Sequence, residues 1–272
     1  MMMKMTIMMS DNCACREPSA RDVGRFLAQY ASWMTGCGAT CIRIEKNVNR
    51  IAATYGKHVE LTIMPRHVQM SVSDHGDEAE CLTLNTSVKA TPISFALNTR
   101  LSELSWKISD RKLPLATARF MFDRIISADY GLHRWLVLLL VSCANASFCR
   151  LFGGDVVAMG VVAVATMAGY WLKTFLLERH IDVRAVFILC SFVSAVLGCS
   201  DILFSLGSTP DIALGTSVLY LVPGIPFLNS FSDMLYRHYI CAFSRFADAT
   251  VLTCCLSAGL CLGMLAMNVG MF

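Results

Sequence analysis

The sequence predicts an α-helical integral membrane protein, with five transmembrane helices behind an N-terminal cytoplasmic α/β domain. Three observations carry that prediction. Of 272 residues, 55% are hydrophobic and only 16% charged, whereas an ordinary soluble domain carries about 25% charged residues. The charge is also concentrated: residues 1–130 hold 16 Lys and Arg and 13 Asp and Glu, and the rest of the chain holds seven of each. Beyond Gly131 the chain breaks into five apolar blocks, each long enough to cross a hydrocarbon core roughly 30 Å thick as a helix. A mean hydropathy of +0.54 excludes a disordered chain. A net charge of +3 gives no basic footprint for nucleic acid.

Residues 1–18 read as a flexible N-terminus and 19–130 as the α/β domain. From Ser19 to Thr35, apolar Val23, Phe26, Leu27, Tyr30 and Met34 recur every three or four positions, as on one face of a helix. Gly36 and Gly38 break that helix. A second is expected from Thr40 to Tyr55, with Ile42, Val48, Ile51 and Ala52 inward and Gly56 as its stop. Val59–Met64 and Val68–Val72 alternate apolar and polar residues about a Pro65-Arg66 turn, the pattern of paired strands. A third strand is expected at Glu80–Asn85, after the polar stretch Ser73–Glu78. Helical patterns follow at Ser94–Asp110 and Pro114–Ser127, the proline suiting a helix start.

Residues 131–272 hold the expected spans: Leu132–Phe152, Val156–Leu177, Ala185–Leu206, Ile212–Leu235 and Ile240–Met267. Their flanking charges set an orientation, because basic residues collect on the cytoplasmic side. With the N-terminus inside, Arg119, Arg124, Arg134, Lys173, Arg179, Arg184, Arg237 and Arg245 fall inside, and Arg150 alone falls outside. The expectation is an inner-membrane protein with its C-terminus outside.

The fourth block carries the sharpest chemical signal. Pro223, Gly224 and Pro226 interrupt an apolar run, and a proline inside a helix costs about 3 kcal/mol. Backbone freed at membrane depth is tolerated only where protein buries it or it lines a cavity, and transporters build binding sites from such breaks. A half-helix starting near Pro226 would turn its positive end towards an anion such as a carboxylate. Asn229, Ser230 and Asp233 follow at helical spacing on one face. A plain structural kink is the alternative.

In the fifth block Arg245 and Asp248 are three residues apart and share a helical face. Arg245 either holds a carboxylate or reaches the interface paired to Asp248, and Asp233 or Asp248 is a candidate proton carrier. Asp211 reads as a helix N-cap, Asp201 as either a loop charge or a pathway residue. Asn145 reads as a helix-to-helix hydrogen bond, and Gly153-Gly154 as a close packing point. Cys13-x-Cys15, Cys37-x-x-x-Cys41, His58, His67 and His75 lack zinc spacing, so no metal is expected. Cys254, Cys255 and Cys261 read as small packing residues. With no phosphate-binding loop and no nucleophile elbow, neither a nucleotide nor another cofactor is expected, and transport would draw on an ion gradient.

Three segments together resemble the threonine/serine exporter family. They are Gly38-Ala39-Thr40-Cys41-Ile42-Arg43-Ile44-Glu45 with Ile51-Ala52-x-x-Tyr55-Gly56, then Phe148-x-x-Leu151-Phe152-Gly153-Gly154, and Leu221-Val222-Pro223-Gly224-Ile225-Pro226-x-x-Asn229-Ser230-x-x-Asp233. The first departs from the family's Gly-Ala-x-Thr-x-Arg-Val-Glu, with Thr one position early and Ile for Val. The resemblance implies the short subunit of a split exporter, completed by a separate five-span subunit, a homo-oligomer, or both. It also implies a carboxylate-bearing substrate, either threonine and serine or a dicarboxylate such as succinate. Gly38, Thr40, Arg43 and Glu45 would then serve the cytoplasmic domain as gate, dock or sensor. Two other readings stay open: a membrane-anchored enzyme using Thr40, Arg43 and Glu45, and a membrane sensor or scaffold.

Overall fold

The computed structural model describes residues 18–74, 77–89, 91–128, 131–204 and 207–269. The N-terminal residues 1–17, with Cys13 and Cys15, and also His75, lie outside them. The chain is mostly helical with one small sheet, and it divides into two compact units, Met1–Ala128 and Asp129–Phe272.

In the first unit, α1 (Ala20–Gly36) starts at Ser19, whose hydroxyl accepts the Asp22 N–H at 3.1 Å. Such a cap satisfies one donor of the open first turn. Val23, Phe26, Leu27, Tyr30 and Met34 are all buried, so the helical stripe expected from the sequence is the core face. In α2 (Cys41–Thr54) the inward residues are Cys41, Ile44, Val48, Ile51 and Ala52, while Ile42 is only half-buried. Ile44 takes the core position because it lies four residues before Val48 and seven before Ile51, one continuous stripe.

β1 (Lys57–Ile63), β2 (His67–Asp74) and β3 (Asp77–Ser87) form an antiparallel sheet in that order, with Val59 opposite Val72 and Ile63 opposite Val68. Val59, Ile63, Val68, Met70 and Val72 face inward, towards α1 and α2, which pack on the sheet. The pleat alternates sides every residue, which is why the expected strand cores coincide with the buried positions.

α3 (Phe95–Arg111) and α4 (Leu115–Ser127) complete this unit. Phe122 of α4 meets Phe26 edge to face, ring centroids 5.7 Å apart, beside Tyr30. The Tyr30 hydroxyl donates to the Leu101 carbonyl at 2.8 Å. Between α2 and α3, Asn47 donates to Ser102 at 3.1 Å, and Arg50 donates to Ser105 at 2.7 Å while stacking on Trp106.

The second unit is a helix bundle. α5 (Arg134–Leu151), α6 (Val156–Glu178), α7 (Val183–Gly198) running on into α8 (Ser200–Phe204), and α11 (Tyr239–Ala266) are long and apolar. Among the described residues, four helices can cross a membrane by length and composition: Arg134–Leu151, Val156–Glu178, Val183–Ile202 and Tyr239–Ala266. α9 (Pro210–Ser217), extended by a 3₁₀ turn at Leu219–Leu221, and α10 (Gly224–Leu235) make a fifth if that bent pair is one span.

Polar side chains join the helices. Asn145 donates to Thr166 at 2.6 Å and to the Thr216 carbonyl at 3.0 Å, and Ser142 to the Ala163 carbonyl at 2.7 Å. Ser191 of α7 donates to the Leu256 carbonyl of α11 at 2.6 Å. In hydrocarbon, where apolar contact between helices gives no hydrophobic gain over lipid, such bonds and small residues hold helices together. Gly263 allows the close approach of α11 to α7: a Cβ there would lie 2.6 Å from the Ala195 Cβ.

Candidate functional site

The break in the bent pair begins where the 3₁₀ turn ends. Pro223 precedes α10 and has no N–H, and the Gly224 N–H closes back on the Val222 carbonyl at 2.9 Å. The chain then leaves at 64° to its earlier course. α10 starts at Gly224, two residues before the Pro226 start read from sequence. Pro226 therefore lies in the first turn, where a missing N–H breaks no intrahelical bond. Two prolines leave this end few donors; what it retains is the positive end of the helix dipole. Val222 and Gly224 are exposed on this chain.

α10 and α11 form a hairpin closed by a tight turn, with Arg237 at φ +66° and the His238 N–H on the Asp233 carbonyl at 2.9 Å. Ser230 donates to the Ala242 carbonyl at 2.7 Å, and Phe227 meets Phe246 edge to face at 5.8 Å. Within this hairpin Arg245 reaches across to Asp233, Nη1 to Oδ2 2.9 Å. The carboxylate is fully buried and the arginine side chain 19% exposed. A pair so placed is held by mutual attraction against a desolvation cost, and removing one partner typically costs 3–5 kcal/mol.

The structure thus brings Ser230, Asp233 and Arg245 together, with Asn229 half-buried one residue before Ser230. It does not pair Arg245 with Asp248, which is exposed on α11. The hairpin turn presents Asp233 to the guanidinium, and Asp248 lies off that line of contact. By the register of the Ser230–Ala242 and Phe227–Phe246 contacts, Asp248 stands level with the break.

Asp211 is not the cap of α9; Thr209 precedes the helix, Pro210 opens it and Asp211 is an exposed acid in the first turn. Proline at the first helical position moved the start one residue earlier. Gly154 packs on Cys149, 2.5 Å from the Sγ to a built Cβ. In the first unit, Gly38 (φ +86°) and Thr40 shape the α1–α2 connection, and exposed Arg43 donates to Asn98 of α3 at 3.3 Å. Glu45 is half-buried. Burial raises the Cys37 thiol to about 11, which leaves it protonated and unreactive near neutrality.

Sequence reasoning passed over two features. Tyr220, in the 3₁₀ turn, bonds Ser194 of α7 at 2.9 Å and anchors the segment just before the break. Exposed Trp135 and Trp171, the latter stacked on Phe175 at 5.7 Å, flank the Arg134–Glu178 ion pair where α5 begins and α6 ends. Tryptophans bordering apolar helices, next to charge, are the mark of a membrane interface.

Residues 25–267 match the sequence model of the family described as "Putative threonine/serine exporter". The chain is also 27% identical over 246 residues to a Klebsiella aerogenes protein named "Probable succinate transporter subunit YjjP", covering 90% of this chain and 93% of that one. The Escherichia coli K12 protein of the same name is 26% identical over 248 residues, covering 90% and 94%. No solved structure matches. These are the names of transporters rather than enzymes, carried by relatives as long as this chain. With a family match over nearly its whole length and helices fit to cross a membrane, the chain belongs to the threonine/serine exporter family of membrane transport proteins.

Proposed function

We propose that this chain is one subunit of a secondary exporter that moves small carboxylate metabolites out of the bacterial cytoplasm across the inner membrane, coupled to protons. In this reading the bent pair crosses as one span, which gives five. Residues 19–130 form a cytoplasmic domain, 131–272 form the membrane domain, and the C-terminus lies outside. The bias of basic residues towards the inner flanks supports that orientation, and it persists with Arg245 left out of the count.

The observation that carries the proposal is the buried Asp233–Arg245 pair beside the broken helix. Arg245 is the cation a substrate carboxylate needs, and Asp233 holds it in the absence of substrate. Protonation of Asp233 releases the guanidinium to a substrate carboxylate; loss of that proton returns the pair and expels the substrate. Ser230 lies one turn from Asp233 on α10, with Asn229 before it; the dipole end at Pro223, Gly224 and Pro226, with Asp248 level with it on α11, stands about 13 Å further along the same hairpin. Threonine, serine and succinate all present a carboxylate; the relatives' name favours the dicarboxylate.

The exposed break supports a partner subunit. Val222 and Gly224 are exposed on this chain, and backbone left bare at membrane depth is not tolerated in lipid. A separate five-span subunit or a second copy seated there satisfies the constraint, and the relatives' designation as subunits fits it.

Reconstitution with and without a five-span partner, followed by efflux of labelled threonine, serine and succinate, tests this reading. Efflux of at least one of them, only with the partner present and driven by a pH gradient, is expected. No efflux in any combination overturns it.

A further inference from the structure

A second buried carboxylate lies at the other end of the bundle, where α7 runs into α8 and α6 and α9 begin. Asp201 is fully buried, and among the described residues neither of its oxygens has a hydrogen-bond donor. Beside it is Asp155, the cap of α6, whose Oδ1 accepts the Ala158 N–H at 2.7 Å and whose Oδ2 accepts the Ser208 N–H and hydroxyl at 2.7 and 3.0 Å. Those N–H groups hold the Asp155 carboxyl below its ordinary range, so it carries a fixed negative charge.

The two carboxylates meet at Gly207. A Cβ built there would lie 2.9 Å from Asp155 Oδ2 and 3.1 Å from Asp201 Oδ1. Both acids thus converge on one small gap over the Gly207 backbone, too tight for a methyl group. The other ionisable groups at this end do not fill it. Arg150 is exposed and donates to the Gly154 carbonyl at 3.1 Å, Asp211 is exposed, and Cys199, between α7 and α8, is buried. A buried ionised carboxylate with no donor and a second negative charge alongside is strongly disfavoured unless a cation joins it. The three heavy atoms nearest that position are all carboxylate oxygens, a donor set that suits a small hard cation.

We propose that Asp201 and Asp155 form a site for a small monovalent cation, a proton or a sodium ion, at the outward end of the membrane domain, where the coupling cation enters. This rests on the exporter reading for its role, although not for its existence. Export against an inward cation gradient needs an outward-facing place for the cation, and this gap lies apart from the Asp233–Arg245 pair.

Infrared difference spectroscopy of the full chain in detergent tests the site without transport. One arm steps the pH in sodium-free buffer, and the other adds sodium at fixed pH. A carboxyl band change in either arm is expected, absent in Asp201→Asn and retained in Asp233→Asn; the arm that responds identifies the cation. If no band in either arm depends on Asp201, the site is overturned. Should Asp201→Asn fail to fold, Asp201→Glu is expected to move the pH or sodium midpoint, and an unmoved midpoint also overturns it. In proteoliposomes Asp201→Asn is expected to lose at least tenfold in gradient-driven efflux and to keep substrate exchange; unchanged gradient-driven efflux overturns the coupling role. If the wild-type chain with its partner transports nothing, the exporter reading fails, and the spectra still decide the cation site.

Discussion

The α10–α11 hairpin and the junction of α8 with α6 and α9 each bury one aspartate completely, yet the two are opposite electrostatic problems. Asp233 has a guanidinium at 2.9 Å. Asp201 has no donor among the described residues, and the carboxylate of Asp155 shares the space over Gly207 with it. Burial and residue type are the same, so they do not decide the chemistry; the partner does. The paired acid has its countercharge within the protein. The unpaired acid has none, and burial without one disfavours its charged form.

The largest expected effect breaks the pair. Arg245→Leu leaves Asp233 buried alone and should cost about 3–5 kcal/mol, read as a fall in unfolding midpoint in detergent, with efflux lost. Adding Asp233→Leu should recover most of that stability but none of the efflux. A double variant that still transports would separate the pair from the site.

Filling the gap at the other end is next. Gly207→Ala presses a methyl group against both carboxylates, and overpacking of this sort costs about 1–3 kcal/mol. The loss should be smaller in the Asp201→Asn background, where the amide supplies a donor. Equal losses in the two backgrounds would mean that the gap is not shared.

Smaller again is the hairpin's own bond. Ser230→Ala removes the 2.7 Å bond to the Ala242 carbonyl and should cost roughly 0.6 kcal/mol, the mean for such bonds in a membrane. A larger loss would mean that Ser230 positions Asp233 rather than only tying α10 to α11.

The smallest effect is a local dependence on acid. Because N–H groups hold Asp155 below its ordinary range, its contribution is present above the unfolded value of about 3.9. That contribution is lost as pH falls through the lower folded value. Exchange of the Ser208 amide hydrogen should therefore quicken below about pH 4, and Asp155→Asn should abolish that acid step. Asp233, held by Arg245 rather than by backbone, should leave Ser208 exchange untouched.

Much of this was legible from the chain alone, for reasons particular to each element. The α1 stripe Val23, Phe26, Leu27, Tyr30 and Met34 and the alternation through Val59–Val72 are local periodicities, and burial reads them directly. The break at Pro223–Pro226 was equally visible, since proline acts on its own backbone. Three things were not. The start of α10 at Gly224 depends on the Gly224 N–H finding the Val222 carbonyl. The inward choice of Ile44 over Ile42 depends on which side the sheet occupies. Spacing alone lets Arg245 reach Asp248, three residues along its own helix, and only the turn at Arg237 brings Asp233 across.

The sequence by itself determined the membrane setting, the five apolar blocks, the small α/β unit and the broken helix. Each of these follows from composition or from spacing within a few residues, where the backbone's periods of 3.6 and 2 fix the geometry. Tertiary structure alone decided which buried acid has a cation beside it. Asp233 and Arg245 are joined through a reversal of the chain, and Asp155 and Asp201 meet across a glycine far from the first in sequence. Electrostatic partnership is set by distance in space, and no local pattern encodes it.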